Sequence, residues 1–128
     1  MDIRYRNPDE YQFYGDDAEG VYLWVNVNGT TIVYGPGQVP AGLDTSPYTN
    51  ISNTKTGSGT PSDPYKITTV LGVPNTTLRL MQVATHVAGA EFVHLDFNLA
   101  QVGGSSPITA TLFHAADLYT GGSDSGYG

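Results

Sequence analysis

Residues 77–99 read TLRLMQVATHVAGAEFVHLDFNL, and this stretch decides the fold class. Apolar and polar residues alternate along both of its halves, which is the pattern of half-buried β-strands. Gly89 tolerates a positive φ angle, so a turn of about three residues at 88–90 joins the two strands. The stretch therefore predicts a long antiparallel hairpin.

The length of that turn predicts which residues of the hairpin lie opposite each other. A three-residue turn places Val83 opposite Leu95 and Met81 opposite Phe97, because odd positions then pair with odd positions. The odd face should therefore be the core face. The even face should present polar and aromatic side chains as a ligand-binding surface. Its predicted members are Gln82, His86, Phe92, His94, Asp96 and Asn98.

Residues 21–27 predict a second hairpin, because valine and leucine alternate there with polar and aromatic residues. Asn28 and Gly29 favour the positive φ angles of a type I′ turn, and the next five residues return as the partner strand. The two-residue loop fixes the register and places Trp24 beside Tyr22 on one face. Trp24 is expected either to pack against a neighbouring loop or, with Tyr22, to form a platform for a sugar ring.

The glycine- and proline-rich residues 35–64 predict a long loop, in which only 48–51 have strand character. The loop leads into GSGTPSDPYKI at 57–67. Asp63 is suited to cap amides of a turn, and Pro64 favours an extended entry into the next strand. This G-x-G-T-x-x-D-P-Y-x-I phrase resembles one that opens β-sandwich modules in large secreted and cell-surface proteins of bacteria. The resemblance implies an extracellular or cell-surface location.

Two further strands are predicted at 65–73 and 108–115. Together with the two hairpins and short edge strands such as 48–51, they predict an all-β, antiparallel β-sandwich of jelly-roll or immunoglobulin-like type, with about 7–9 strands. We expect a single domain over residues 1–128, with 1–19 and 120–128 as edge or terminal segments. The glycine- and serine-rich end suggests a module cut from a longer polypeptide.

Composition excludes several classes of function. The chain has a net charge of −7, and only 13% of its residues are charged. Nucleic acids and anionic membrane surfaces attract basic proteins, so neither is an expected partner. No apolar run approaches the roughly 20 residues that insertion into a bilayer requires. The chain contains no cysteine, which rules out disulfides and thiolate metal sites.

No pattern in the sequence predicts a catalytic centre. The G-x-S-x-G motif of serine hydrolases is missing, and the serines lie in clusters typical of turns. Spacing alone does not bring two carboxylates together as glycoside hydrolysis needs. We therefore assign no catalytic residue and expect a protein that is not an enzyme.

Two kinds of metal site are weighed against ordinary surface roles for the same residues. Calcium binds carboxylate oxygens, and Asp16 and Asp17 near the start and Asp117 and Asp124 near the end are candidate ligands. His86 and His94 share a predicted strand face, where two imidazoles can converge on zinc or copper. Calcium is the candidate cofactor, and a solvated acidic loop and hydrogen-bonded surface histidines are the simpler alternatives for the two kinds of site.

The combination of strands, long loops, tyrosines and few charges predicts a non-catalytic extracellular module for adhesion or carbohydrate binding. Its partner would be a glycan or another cell-surface polymer. A structural subunit of a surface filament or sheath, self-associating through strand or edge pairing, is the first alternative. A fragment of a carbohydrate-active enzyme is the second.

Overall fold

The computed structural model describes residues 19–36 and 44–116, and β-strands dominate these ranges. The strands are β1 (Glu19–Val27), β2 (Thr30–Tyr34), β3 (Thr49–Thr56), β4 (Tyr65–Gly72), β5 (Leu78–His86), β6 (His94–Gln101) and β7 (Ala110–Ala116). No helix occurs within the two described ranges. The predicted all-β class and strand number are confirmed.

The strands form two antiparallel sheets, one of three strands in the order β2-β1-β7 and one of four in the order β3-β4-β5-β6. Each sheet belongs to its own compact unit. The first unit comprises Met1–Pro47 with Ile108–Gly128, and the second comprises Tyr48–Pro107. Two antiparallel sheets are consistent with the predicted β-sandwich class.

β1 and β2 form the second predicted hairpin. Asn28 and Gly29 have φ angles of 52° and 84°, as a type I′ turn requires. Leu23 pairs with Tyr34, which is the register that a two-residue loop predicts. Local turn chemistry is therefore sufficient to align these two strands.

The core of the first unit lies on the face of β1 that carries its leucine and valines. Leu23 and Val25 are fully buried, and Tyr34 on β2 is 1% exposed. On its other side β1 pairs with β7, where Leu112 lies opposite Leu23. The predicted strand at 108–115 is thus confirmed, although it begins at Ala110.

β3 was not predicted at its full length. The sequence suggested strand character only at 48–51, but the strand runs from Thr49 to Thr56. All eight of its residues are exposed, so it lacks the hydrophobic alternation that identifies a half-buried strand. Its pairing with β4 contains an irregularity at Ile51, between Asn50 and Ser52.

The predicted turn before β4 is confirmed, with Asp63 at its centre. The Asp63 backbone carbonyl accepts hydrogen bonds from the N–H groups of Ser58, Gly59 and Thr60 at 3.1, 2.9 and 3.1 Å. Its carboxylate Oδ2 also accepts from the Ser58 N–H at 3.0 Å. Asp63 therefore satisfies the amides of a segment that pairs with no long strand.

Tyr65 opens β4, and its ring packs against the turn. A Cβ at Gly59 would lie 2.7 Å from the Tyr65 Cζ, so only glycine allows this contact. The Lys55 Nζ lies 5.6 Å from the Tyr65 ring centroid. The Gly59 carbonyl accepts the Ala88 N–H at 2.8 Å, so the turn also holds the connection after β5.

The pairing of β5 with β6 differs from the predicted register by one residue. Val83 lies opposite Asp96, whereas the sequence-based register placed it opposite Leu95. Gly89 has the expected positive φ of 87°, but the connection covers 87–93 rather than three residues. The residues that follow the turn shift the alignment by one residue. As a result, the odd residues of β6 lie opposite the even residues of β5 instead of its odd residues.

The prediction that the odd residues of β5 form its core face is therefore wrong. Leu80 is fully buried and Ala84 is 8% exposed, whereas Met81 is 37% exposed. Leu80 lies opposite Leu99, so the odd residues of β6 do share the apolar face. The pattern of β5 was ambiguous because Met81 and Val83 make its other face apolar as well.

Candidate functional site

Trp24 and Phe113 form an exposed pair of aromatic rings on the three-stranded sheet. Their ring centroids are 5.1 Å apart, and the rings are tilted by 53°. Trp24 is 44% exposed and Phe113 is 45% exposed. Tilted pairs at this distance are favourable for aromatic quadrupoles, so each ring holds the other in place while part of both surfaces meets solvent.

The strand register explains why the two rings meet. Phe113 on β7 lies opposite Tyr22, and Trp24 lies opposite Thr111, so Trp24 and Phe113 are diagonal neighbours on one face. The buried Leu23 and Val25 occupy the other face of β1. Burial of the aliphatic residues on one face therefore leaves the large rings on the other.

A polar side chain borders the aromatic pair. Thr111 is exposed and lies directly opposite Trp24. Its hydroxyl group can donate or accept a hydrogen bond next to the indole ring. An apolar surface with a hydroxyl beside it is suited to a ligand that has both C–H and O–H groups. We call Trp24, Phe113 and Thr111 the aromatic patch.

Phe113 was not predicted from the sequence. The alternation of residues 108–115 places it away from the apolar face of its strand. Its contact with Trp24 depends on the pairing of β1 with β7, two segments far apart in the chain. The one feature of the sequence that could have indicated a role for Phe113 is that a phenylalanine occupies the polar face of this strand.

Tyr22 was predicted to bind ligand beside Trp24, but its side chain is only 6% exposed. The ring packs against glycines: a Cβ at Gly35 would lie 2.6 Å from the Tyr22 Cδ1, and one at Gly20 would lie 2.7 Å from its hydroxyl oxygen. The space that those glycines leave is filled by the ring. Tyr22 therefore lies on the same face as Trp24 and Phe113, but its buried ring does not extend the exposed aromatic patch.

We expect the protein to lose stability at alkaline pH, because two buried tyrosines lose their hydroxyl protons more readily in the unfolded chain than in the folded one. Burial raises the pKa of Tyr22 and of Tyr34 above the ordinary value of 10.0. The unfolded chain then releases these protons at lower pH than the folded chain, so the free energy of unfolding falls as pH rises above about 10. Denaturant unfolding followed by circular dichroism between pH 8 and 12 measures this loss.

Tyr22→Phe and Tyr34→Phe should each make that free energy less dependent on pH. Equal pH dependence in the wild type and in both buried-site variants would refute the assignment.

His94, Asp96 and Asn98 lie together on the exposed face of β6, as predicted for that strand. The His94 Nε2 lies 3.1 Å from the Asp96 Oδ1, and the two side chains are 65% and 64% exposed. At this exposure water screens the pair, so it contributes little to stability. Met81 lies opposite Asn98. Val83 lies opposite Asp96, so two apolar residues of β5 border these three side chains, which we call the polar strip.

The other residues predicted for that surface lie elsewhere. Gln82 lies opposite Phe97, and His86 is likewise an even residue of β5, so both are on the apolar face. Phe92 is 72% exposed but belongs to the connection between β5 and β6. Its carbonyl oxygen is 3.1 Å from the His86 Nδ1. Because the register differs by one residue, the side chains predicted to form one binding surface are divided between the two faces of the sheet.

The same difference separates the two histidines proposed to bind zinc or copper. His94 lies opposite Thr85, so its neighbour His86 projects from the other face of the sheet. Within residues 19–36 and 44–116, no group of three or more His, Asp or Glu residues is arranged to hold a metal ion. The calcium candidates lie outside the described residues. They are Asp16, Asp17, Asp117 and Asp124.

Comparison with known proteins gives no relative: no family model, curated protein or solved structure matches this chain. In the part of the chain that the structure describes, no helix has the length and apolar character needed to cross a membrane.

Proposed function

We propose that this protein is a non-catalytic module that binds carbohydrate outside the cell or at its surface, through the aromatic patch. The single observation that carries this proposal is the exposed ring pair of Trp24 and Phe113. Pyranose rings have an apolar C–H face that stacks on aromatic rings, and their hydroxyls need hydrogen-bonding groups at the rim. Thr111, which lies directly opposite Trp24, supplies one such group.

The surroundings of the patch favour a neutral ligand. The protein carries a net charge of −7, and no charged residue lies opposite Trp24 or Phe113 in the sheet. The negative net charge of the protein would repel a polyanion, whereas it does not repel a neutral glycan. The glycine-threonine-aspartate phrase at 57–67 supports the extracellular part of the proposal through its resemblance to modules of secreted bacterial proteins.

Trp24 is the only tryptophan of the chain, so its fluorescence reports directly on the proposed site. We expect neutral oligosaccharides that bind to shift its emission and to protect it from quenching by acrylamide, because a stacked sugar displaces water from the indole. A glycan array selects the oligosaccharides, and titration gives the dissociation constant. Phe113→Ala should weaken binding about tenfold or more, since it removes half of the platform.

Phe92→Ala is the matched control, because Phe92 is an exposed aromatic residue that belongs to the other sheet's unit. Its loss should leave the affinity unchanged. Trp24→Ala, tested by calorimetry, should abolish binding. If no glycan binds the wild-type protein, or if Trp24→Ala and Phe113→Ala bind as the wild type does, the proposal is wrong.

A structural role through strand pairing is a second candidate, and the exposed edge strands favour it. β3 and β6 are the outer strands of the four-stranded sheet, and all eight residues of β3 are exposed. Exposed edges are places where another strand can add through main-chain hydrogen bonds. Size measurements over a range of protein concentrations separate this role from glycan binding by a monomer.

A further inference from the structure

In the part of the chain that the structure describes, β6 has fewer of the features that discourage edge pairing than β3, the other edge strand of the four-stranded sheet. Its sequence, HLDFNLAQ, has no proline or lysine, and its pairing with β5 has no bulge. β3 at the opposite edge has both an irregularity at Ile51 and a lysine at position 55. Lysine, proline and bulges are the features with which proteins discourage an edge from pairing. Among the described residues, β6 therefore lacks three of the features that discourage a further strand, namely proline, lysine and a bulge.

We propose that β6 pairs with β6 of a second copy of the protein, antiparallel and with Phe97 opposite the partner's Phe97. A two-fold axis perpendicular to the sheet relates such copies, and it keeps each face of the sheet on the same side. Odd residues must then lie opposite odd residues, and even opposite even, because side chains alternate along a strand. This condition leaves few allowed registers.

Charge and polarity select one register among them. With Phe97 opposite its counterpart, Asp96 lies opposite the partner's Asn98, whose amide can donate a hydrogen bond to the carboxylate. Sliding the strands one way brings Asp96 against the partner's Asp96, which like charge disfavours. Sliding them the other way places Asp96 opposite the partner's Ala100, whose side chain cannot donate a hydrogen bond to the carboxylate.

The same register matches the apolar residues. Leu95 lies opposite the partner's Leu99, and both residues belong to the face that contains the buried Leu80. Leu95, Phe97 and Leu99 are only half-buried in the single chain. Pairing would extend the apolar face of one sheet into that of the next and cover more of these side chains.

Single cysteines test the register, because the chain itself has none. Phe97→Cys should form a disulfide-linked dimer on mild oxidation, since directly opposed residues of antiparallel strands have Cα atoms within about 4.5–5.5 Å. Ala100→Cys is the matched control and should remain monomeric. Asn98→Cys should cross-link poorly, because position 98 lies two residues from its own counterpart.

Sedimentation equilibrium tests the association without cysteine. Asn98→Asp should weaken the dimer about tenfold, because it creates two symmetric pairs of like charges with Asp96. Asn53→Asp on β3 is the matched control, and Trp24→Ala should not change the mass, since this inference does not depend on glycan binding. All three positions are exposed, so folding should be retained.

Two results would overturn the inference. One is a wild-type protein that stays monomeric up to about 1 mM, a concentration at which even weak association is detected. The other is cross-linking at residue 98 or 100 in preference to residue 97.

Discussion

Gly57→Ala is expected to lower the free energy of unfolding by about 2–4 kcal/mol. Gly57 has a φ angle of 88°, in the left-handed region that side chains disfavour. An added Cβ would also lie inside contact distance of the Pro64 backbone carbonyl. Backbone on both sides of the clash belongs to the turn that Asp63 holds, so neither side can move without breaking hydrogen bonds. Chemical denaturation measures the loss.

Gly29→Ala separates the two causes of that loss. Gly29 has nearly the same φ angle, 84°, but nothing lies within 4 Å of the place where its Cβ would be. Only the cost of the left-handed conformation should appear, about 1–2 kcal/mol. Equal losses for Gly57→Ala and Gly29→Ala would show that the close approach of Pro64 does not matter.

Leu80→Ala is expected to cost about 2–5 kcal/mol, the range for removing a large aliphatic side chain from a packed core. Leu80 is fully buried in the middle of the four-stranded sheet. Removing it takes away apolar contacts and leaves a cavity that its strand neighbours cannot close. The measurement is the free energy of unfolding in urea.

Met81→Ala, one residue further on, tests the orientation of β5. Met81 is 37% exposed, so its replacement should cost no more than about 1 kcal/mol. The three-residue turn read from the sequence predicts the opposite order, with Met81 in the core. A larger loss for Met81→Ala than for Leu80→Ala would therefore reject the register seen in the structure.

In the candidate site, some features follow from residues close together in the chain, and others depend on contacts between distant segments. Trp24 was recognised from the alternation of its own strand, and its side chain is 44% exposed. Its role as a platform for a sugar ring remains a proposal. Tyr22 follows the same alternation but is buried, because Gly20 and Gly35 leave room for its ring. Alternation gives the side of a strand on which a residue lies, but not whether other parts of the chain cover that side.

The predicted binding surface on the central hairpin was divided for a related reason. His94, Asp96 and Asn98 remained together because they belong to one strand. Gln82 and His86 were assigned to the same surface only through the assumed turn length, and the seven-residue connection moved them to the other face. The calcium ligands and the single-domain organisation remain predictions.

The sequence by itself determined the all-β class, the hairpin closed by Asn28 and Gly29, and the turn centred on Asp63. Each of these depends on φ preferences and hydrogen bonds between residues close together in the chain. Only the tertiary structure decided the strand at β3, the register of β5 with β6 and the meeting of Trp24 with Phe113. β3 is exposed on both faces and β5 is apolar on both, so alternation could not orient either strand, and the β5–β6 register depends on the length of the connection at 87–93. Trp24 meets Phe113 only through the pairing of β1 with β7, which lie far apart in the chain.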